Sequence, residues 1–234
     1  MKTPTNQEWV GSILGAKVVR QTHVQTLWSG YGAITRMALE DGRTVVLKEV
    51  SPTDPANHPR GWSGRRSHER KLHSYEVEHA FYTSYAARSG LPRVPSLLAS
   101  DRSAKGSRLL LEDLDAAGFA GRARSGAADV EACLAWLARL HGCFVGQSPD
   151  ALWPIGTYWH LATRPDELAA TEDDALKHAA PALDRLLNNC RHQTFVHGDA
   201  KLANFCFREG AVSGGDLVAA VDFQYVGGGC GMKD

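Results

Sequence analysis

Runs of β-branched and aromatic residues, separated by short polar turns, dominate the start of the chain and favour β-strands. They concentrate in three segments, residues 18–28, 31–40 and 44–50. Asp41-Gly42 lies between the last two and is a typical hairpin signal. The pattern therefore predicts three antiparallel strands.

Later segments carry apolar residues at the helical spacing of three and four positions. Residues 73–88 place Val77 and Phe81 on one side and precede a Gly-Leu-Pro stop signal at 90–92. Further helices are predicted over 129–145, from 163–167 onward and over 181–190, while the proline-rich and charged residues 51–71 predict a loop. The helix over 129–145 is expected to bury one apolar face, made of Val130, Cys133, Leu134, Leu137, Leu140 and Phe144.

Two short apolar segments flank a polar stretch near the end of the chain. Residues 194–196 predict a strand that enters this stretch, and residues 205–207 predict a strand that leaves it. A glycine-rich turn at 209–216 and the apolar segment 217–221 then predict a hairpin that ends at Asp222. The polar side chains of this region are thus expected at strand ends or in loops.

Three of these side chains have the chemistry and the spacing of a phosphotransfer site. Asp199 is followed five positions later by Asn204, and Asp222 comes after the hairpin. Phosphoryl transfer depends on positioning and charge neutralisation, so it needs hard oxygen ligands for Mg²⁺ close to the phosphates. We expect Asp199 to accept the proton of the attacking hydroxyl, and Asn204 and Asp222 to bind Mg²⁺.

The motif His-Gly-Asp at 197–199, followed by Asn204 and by Asp-Phe at 222–223, resembles the aminoglycoside phosphotransferase and choline kinase superfamily of small-molecule kinases. Protein kinases usually carry Arg between the His and the Asp, and Gly after the Asp-Phe. This chain has Gly198 and Gln224 at those positions, so the small-molecule branch is the better match.

Two further segments refine the resemblance. Ser-Tyr-Glu-Val-Glu at 74–78, before Phe-Tyr at 81–82, and Leu-Glu-Asp-Leu at 111–114 are similar to the ecdysteroid-kinase-like group within that superfamily. The resemblance implies a protein-kinase-like α+β fold. Its small antiparallel β lobe would be nucleotide-binding and occupy residues 1–114, and its helical catalytic lobe would occupy residues 115–234.

The resemblance also implies roles for individual charged residues. Lys48, late in the third predicted strand, matches the lysine that reaches the α- and β-phosphates of the nucleotide. Its carboxylate partner on the following helix is expected to be Glu78, with Glu76 as the alternative. Lys201, two residues after Asp199, matches a lysine that neutralises charge on the transferred phosphoryl group.

Backbone contacts to the nucleotide are implied at two places. Gly30 and Gly32 lie in a turn between the first two strands, where the related fold covers the nucleotide with a loop. A plain tight turn would explain these glycines almost as well. Residues 107–111 predict a buried strand that leads to Glu112 and Leu114, the implied hinge where backbone groups bind adenine.

An aromatic cluster at 153–160, which contains Trp153, Tyr158 and Trp159, has two interpretations. Aromatic side chains can surround a quaternary ammonium ligand. They also fill cores, and this second interpretation is favoured.

Composition excludes several classes of protein. Lys plus Arg and Asp plus Glu number 26 each, so no net charge favours binding to nucleic acid or to an anionic membrane. Neither a signal-peptide core nor an apolar run of membrane-spanning length is present in the sequence, which predicts a soluble, cytoplasmic protein. The 5 cysteines include no Cys-x-x-Cys pair, which favours reduced thiols over disulfides or a zinc site.

Taken together, the motifs predict an enzyme that uses ATP and Mg²⁺ to phosphorylate a hydroxyl of a small molecule. The alternatives are a nucleotide-binding pseudokinase or partial domain without turnover, and a metal-dependent hydrolase that uses His197, Asp199 and Asp222. The acceptor stays open among choline, an aminoglycoside, a sugar, a homoserine-like alcohol and a steroid.

The end of the chain departs from the family pattern. Only twelve residues follow Asp222, whereas the family normally continues through further helices, so the sequence resembles a truncated member. Asp234 matches a family aspartate that braces the catalytic loop. At a chain end it is expected to fray.

Overall fold

The computed structural model describes residues 4–27, 30–51, 65–103, 106–122, 126–158, 160–163, 165–210 and 216–234, apart from the side chains of 65–67. Predictions that concern Trp28, Ser29, residues 52–64, Trp159 and residues 211–215 lie outside these ranges. The helices are α1 (Asn6–Leu14), α2 (Arg65–Ser84), α3 (Ala127–Phe144), α4 (Pro165–Ala170) and α5 (Asp174–Asn188). The strands are β1 (Val18–Thr26), β2 (Gly32–Leu39), β3 (Thr44–Val50), β4 (Leu97–Ser103), β5 (Gly106–Glu112), β6 (Gln193–Val196), β7 (Phe205–Phe207), β8 (Val218–Ala220) and β9 (Gly227–Cys230).

A five-stranded antiparallel sheet forms the N-terminal half, in the order β1-β2-β3-β5-β4. The three strands expected from the early sequence are present, and the turn at Asp41-Gly42 joins β2 to β3. Residues 107–111 form most of β5, as predicted, and pair with β3. Strand β4 was not predicted, because its exposed and half-buried residues carry a weak pattern.

Helix α1 begins at an N-terminal capping box that sequence reasoning missed. Glu8 N donates to the Thr5 hydroxyl, and Thr5 N donates to the Glu8 carboxylate. Two amide groups that the helix leaves without partners are thereby satisfied. The fully buried Val10 then anchors the helix to the cluster around Met37 and Leu47 of the sheet.

Helix α2 begins earlier than predicted, at Arg65 instead of residue 73. Residues 65–71 therefore belong to a helix, and the prediction of a loop there is wrong; residues 52–64 lie outside the described part. The first turns of α2 are charged and lack the apolar periodicity that marks a buried face, yet Arg, Lys and Glu are good helix formers. The later turns bury Val77 and Phe81, as predicted.

Helix α3 runs through the centre of the larger core, but its buried face is rotated from the predicted one. Val130 and Leu134 are exposed, whereas Trp136 is buried. The buried positions are Cys133, Trp136, Leu137, Leu140 and Phe144, which follow the spacing of one helix face. The indole nitrogen of Trp136 donates to Arg93 O, so its polar edge is satisfied within the core.

Helix α5 also starts before its predicted beginning at residue 181. The side chain of Asp173 caps it by accepting from Leu176 N, and Pro181 lies inside the helix. A proline at the first helical position is common, which made Pro181 a plausible start. The cap at Asp173 sets the beginning, and α5 has no buried residue.

The C-terminal half contains two small antiparallel sheets, β6 with β9 and β7 with β8. The predicted strands at 194–196, 205–207 and 217–221 correspond to β6, β7 and β8. Beneath them lies a continuous core to which α2, α3 and these strands all contribute. The lobe boundary at residue 114 stays a prediction. In the part of the chain that is described, no helix is both long and apolar enough to cross a membrane.

Candidate active site

The loop between β6 and β7 places Asp199 at the centre of a polar cluster. Lys201 Nζ lies 2.7 Å from Asp199 Oδ2. Asn204 Nδ2 donates to the same carboxylate at 3.1 Å and to Asp199 O at 2.8 Å. The carboxylate of Asp199 raises the pKa of Lys201 through this hydrogen bond, so the ammonium stays charged. These contacts bring together three residues that the sequence assigned to the site.

Gly198 gives this loop its sharp bend. Its φ is +82°, a left-handed conformation that side chains with a Cβ rarely adopt. A Cβ at this position would lie 2.1 Å from Tyr225 O and 2.8 Å from Thr157 N. The close approach is needed because Thr157 N donates to Tyr225 O, while Tyr158 N donates to Gly198 O.

The carboxylate of Asp234 binds the backbone of the same loop, so the expectation that Asp234 frays is wrong. Its carboxylate accepts from His197 N at 2.7 Å and from Gly198 N at 2.8 Å. The Asp234 side chain is only 1% exposed, and His141 Nε2 lies 3.0 Å from it. Two backbone donors and an imidazole thus fix a residue that chain position alone would leave mobile. His141, on α3, is therefore a partner of this carboxylate.

His197 is fully buried and uses both ring nitrogens within the protein. Nε2 lies 3.0 Å from Val221 O, and Asp199 N donates to Nδ1 at 3.3 Å. Burial lowers the pKa of His197, which agrees with a neutral ring that carries its proton on Nε2. With neither nitrogen left for a metal, the hydrolase alternative loses one of its three ligands.

Asp222 follows β8 in a strained backbone conformation, with φ +68°. Its Oδ1 lies 3.4 Å from Lys48 Nζ. Burial alone would raise the pKa of Asp222, but the positive charges of Lys48 and Lys71 outweigh it, so the pKa lies below its ordinary value. Asp222 therefore presents a carboxylate to the site at neutral pH.

Lys48 in β3 contacts Glu78 of α2 and not Glu76. Its Nζ lies 2.8 Å from Glu78 Oε1 and 2.6 Å from Oε2. Glu76 is exposed and pairs with Arg102 instead. Burial would lower the pKa of Lys48, yet the charges of Glu78 and Asp222 raise it, so Lys48 remains an ammonium.

Helix α2 is positioned for this contact by stacking against the segment that carries Asp222. The rings of Phe81 and Phe223 are stacked, with centroids 3.9 Å apart, and both are fully buried. His197 also packs against Phe223, with ring centroids 4.8 Å apart. The Lys48–Glu78 ion pair, Asp222 and the Asp199 loop thus share one core.

Replacing Glu78 by Gln is expected to lower the free energy of unfolding by up to about 3–5 kcal/mol, because the buried ammonium of Lys48 loses its main charged partner. The matched control is Glu76→Gln on the same helix, whose exposed pair with Arg102 should be worth about 0–1 kcal/mol. Urea denaturation measures both. The double variant with Lys48→Met should cost less than the sum of the two single changes, and full additivity would contradict a coupled pair.

The two glycines of the first turn differ in what their surroundings require. A Cβ on Gly32 would lie 2.0 Å from Glu49 O, so close packing of β2 on β3 demands glycine there. Gly30 has φ +73° and open space around it. A tight turn explains both residues, and their contact with a nucleotide stays a prediction.

The implied hinge lies where β5 ends. The Glu112 carboxylate accepts from Arg93 and from Ser96 N, and Glu112 N donates to Ser96 O. Leu114 O accepts from Phe119 N. These groups are occupied by the protein itself, and an adenine contact at Glu112 or Leu114 stays a prediction.

Sequence reasoning missed Lys71 and Gln224 as members of the site. Lys71 Nζ donates to Gln224 Oε1 at 2.7 Å, and Gln224 follows Asp222 by two residues. The spacing of Lys71, Tyr75 and Glu78 places all three on one face of a helix. This signal was missed because Lys71 fell in the segment predicted as a loop, while the other two fell in the predicted helix.

The aromatic cluster packs mainly on itself. Trp153 and Tyr225 are stacked with centroids 6.3 Å apart, and Tyr158 meets Tyr225 edge-on at 4.9 Å. The Arg70 guanidinium lies 5.5 Å from the Trp153 ring. These contacts fit the favoured packing interpretation, and the cluster borders the catalytic loop through Tyr158. Trp159 lies outside the described residues.

Comparison with known proteins identifies the family and the fold. The sequence profile of the phosphotransferase enzyme family matches residues 23–229. No curated protein matches the sequence. The macrolide 2'-phosphotransferase of Brachybacterium faecium is similar in structure, with 14% identity, 96% of this chain and 73% of that chain aligned, and a TM-score of 0.57. A putative fructosamine-3-kinase from Thermobifida fusca aligns over 99% of this chain and 76% of that chain, with 16% identity and a TM-score of 0.51. At these identities the likeness establishes the fold, and it confirms the predicted kinase-like α+β architecture.

Proposed function

Because this chain belongs to the phosphotransferase enzyme family, we propose that it transfers the terminal phosphoryl group of ATP to a hydroxyl of a small molecule, with Mg²⁺. The observation that carries the proposal is the convergence of two elements on Asp222. The Asp199 loop is joined to the Asp222 segment by the hydrogen bond from Val221 N to Asn204 O. The buried Lys48–Glu78 pair reaches Asp222 through Lys48 Nζ, which lies 3.4 Å from the Asp222 carboxylate. A proton acceptor, oxygen ligands and a phosphate-directed lysine are the parts that phosphoryl transfer needs.

The residues present fit a Mg²⁺ ion. Asn204 donates to Asp199 through Nδ2, which leaves its Oδ1 for a cation, and none of the described residues donates to that oxygen. Asp222 supplies a carboxylate whose pKa lies below its ordinary value because of the neighbouring positive charges, foremost Lys48. Mg²⁺ favours one or two protein oxygens together with phosphate oxygens, so Asn204 and Asp222 suffice to hold it. The ion would neutralise charge on the phosphates.

The side chains in and near the Asp199 loop have distinct roles in the proposed transfer. Asp199 orients the acceptor hydroxyl and takes its proton, and the hydrogen bond from Asn204 fixes the carboxylate. Lys201 lies next to Asp199 with its side chain 58% exposed, from where it can reach the transferred phosphoryl group. Lys48 orients the phosphates of the nucleotide and is itself fixed by Glu78.

Nucleotide turnover with a panel of hydroxyl compounds tests the proposal. Purified protein is incubated with ATP and Mg²⁺ and with choline, aminoglycosides, macrolides, fructosamines, sugars or homoserine, and phosphorylated product is detected by mass. Product with one acceptor class, lost on chelation of Mg²⁺, is the expected result. Nucleotide binding without product from any acceptor would instead support a pseudokinase, the competing assignment.

Asp222→Ala should weaken MgATP binding more than Asn204→Ala, because the first change removes a charged ligand and the second a neutral one. Loss of residues that merely support metal ligands already costs about 10- to 100-fold in metal affinity, so loss of Asp222 should cost at least about 100-fold. Calorimetric titration of MgATP measures both variants. Equal and unimpaired binding would place the metal elsewhere.

A further inference from the structure

Lys71 is a partly buried cation that the assigned roles leave unused. It lies on α2, with Nζ 2.7 Å from Gln224 Oε1 and 4.7 Å from the centroid of the Tyr75 ring. Within the described ranges, no carboxylate lies within ion-pair distance of its ammonium. A neutral amide oxygen and a ring face are therefore its partners.

Such an environment is unfavourable for a charge. Burial and the nearby Lys48 lower the pKa of Lys71 to about 8. Withdrawing an ammonium from water without an anionic partner is unfavourable, and an anion that binds beside it would offset that cost. The arrangement therefore suits an anion that enters the site.

The surroundings of Lys71 indicate where that anion would lie. Gln224, the partner of Lys71, follows Asp222 by two residues. The neighbouring Arg70 donates to Tyr158 O at 3.0 Å, and Tyr158 N donates to Gly198 O, next to Asp199. This part of α2 thus contacts both the Asp222 segment and the segment that binds the Asp199 loop, while Lys48 lies 3.4 Å from Asp222. An ammonium has three N–H donors, and the contact to Gln224 uses one of them.

We propose that Lys71 binds the terminal phosphate of the nucleotide, as a second phosphate-binding lysine beside Lys48. The proposal rests on the proposed function, and it deepens it by assigning to α2 a direct contact with the group that is transferred. Lys48 would serve the inner phosphates, while Lys71 faces the side where Asp199 receives the acceptor. Gln224 would hold the Lys71 side chain in place until the nucleotide arrives.

A purely structural role is the main competing explanation. The Ser74 hydroxyl donates to Lys71 O at 2.7 Å and lies 3.3 Å from Gln224 Oε1. In this explanation the hydrogen bonds among Lys71, Ser74 and Gln224 form a clasp that attaches α2 to the segment after Asp222 and have no other role. A clasp would affect every nucleotide equally, whereas a contact to the terminal phosphate would distinguish ATP from ADP.

The experiment measures the affinities of MgATP and MgADP for the full chain and for three variants. Lys71→Met removes the charge at similar length, Lys71→Arg keeps it, and Gln224→Leu breaks the clasp while leaving Lys71. We expect Lys71→Met to lower ATP affinity by about 10- to 100-fold, as for the loss of a charge-assisted hydrogen bond, with ADP affinity nearly unchanged. Lys71→Arg should retain part of the preference for ATP, and Gln224→Leu should retain most of it.

Each other outcome is decisive. If Lys71→Met and Gln224→Leu weaken ATP and ADP equally, the role is structural and the proposal is wrong. If Lys71→Met leaves both affinities unchanged, the ammonium does not touch the phosphates. If the unaltered protein binds neither nucleotide, the proposed function fails together with this inference. If Lys71→Met prefers ATP over ADP as strongly as the unaltered protein does, only the inference is overturned.

Discussion

Asp199→Asn is expected to lower phosphate transfer by about 10²- to 10⁴-fold, the usual worth of general-base assistance. Asparagine keeps the size of the side chain and can still accept hydrogen bonds from Lys201 and Asn204, but it cannot take the proton of the acceptor hydroxyl. Nucleotide binding should remain nearly intact, because Lys48 and Asp222 are untouched. Turnover and ATP affinity are measured in parallel.

Asp150→Asn serves as the matched control for this change. Asp150 is exposed, and among the described residues its carboxylate accepts from the nearby Ser148 hydroxyl alone, at 2.7 Å. The control should leave turnover unchanged. Undiminished turnover in Asp199→Asn would remove Asp199 from its assigned role, and an equal fall in ATP affinity would show that the change had damaged the loop.

Gly198→Ala is expected to cost about 2–5 kcal/mol of folding free energy, the sum of left-handed backbone strain and overpacking. The added methyl would collide with Tyr225 O at 2.1 Å, and the backbone must move to relieve it. Movement of this loop also displaces Asp199, so turnover should fall with stability. Thermal melting and activity together measure the effect.

Gly210→Ala separates the two contributions. Gly210 has φ +83°, almost the same as Gly198, but no atom of the described residues, its chain neighbours apart, lies within 4 Å of the position that an added methyl would occupy. This variant should therefore show only the strain, about 1–2 kcal/mol. Equal losses at the two positions would mean that contact with Tyr225 O does not constrain the catalytic loop.

The strands and the polar loop of the site could be predicted from sequence because their signals are local. β-branched runs and the Asp41-Gly42 turn define β2 and β3 without reference to the rest of the fold. The spacing of Asp199, Asn204 and Asp222 likewise reflects one loop and one hairpin. Short-range geometry was enough in each case.

The parts that sequence reasoning missed depend on contacts between distant segments. β9 consists of three glycines and a cysteine, a poor strand by propensity, yet a Cβ on Gly227 would lie 2.2 Å from Trp153 O. The packing of residues 153–154 makes Gly227 and Gly228 necessary. No property of residues 227–230 alone indicates either contact.

Asp234 and Lys71 illustrate the same limit for side chains. The position of Asp234 at the chain end predicts fraying, but donors of His197 and Gly198 fix it. The charged neighbours of Lys71 predict a solvated loop, but α2 begins at Arg65 and turns this lysine inward. Burial of a polar residue depends on partners that lie far away in the sequence.

Because the backbone of Asp222 is left-handed, two independent requirements limit which residue types can occupy this position. Folding admits Gly, Asn and Asp there, since these residues tolerate positive φ. The proposed Mg²⁺ site needs a charged ligand at this position, which Asp and Glu can supply. Aspartate is the residue that satisfies both demands, so the common exchange of one acidic residue for the other is not conservative at this position.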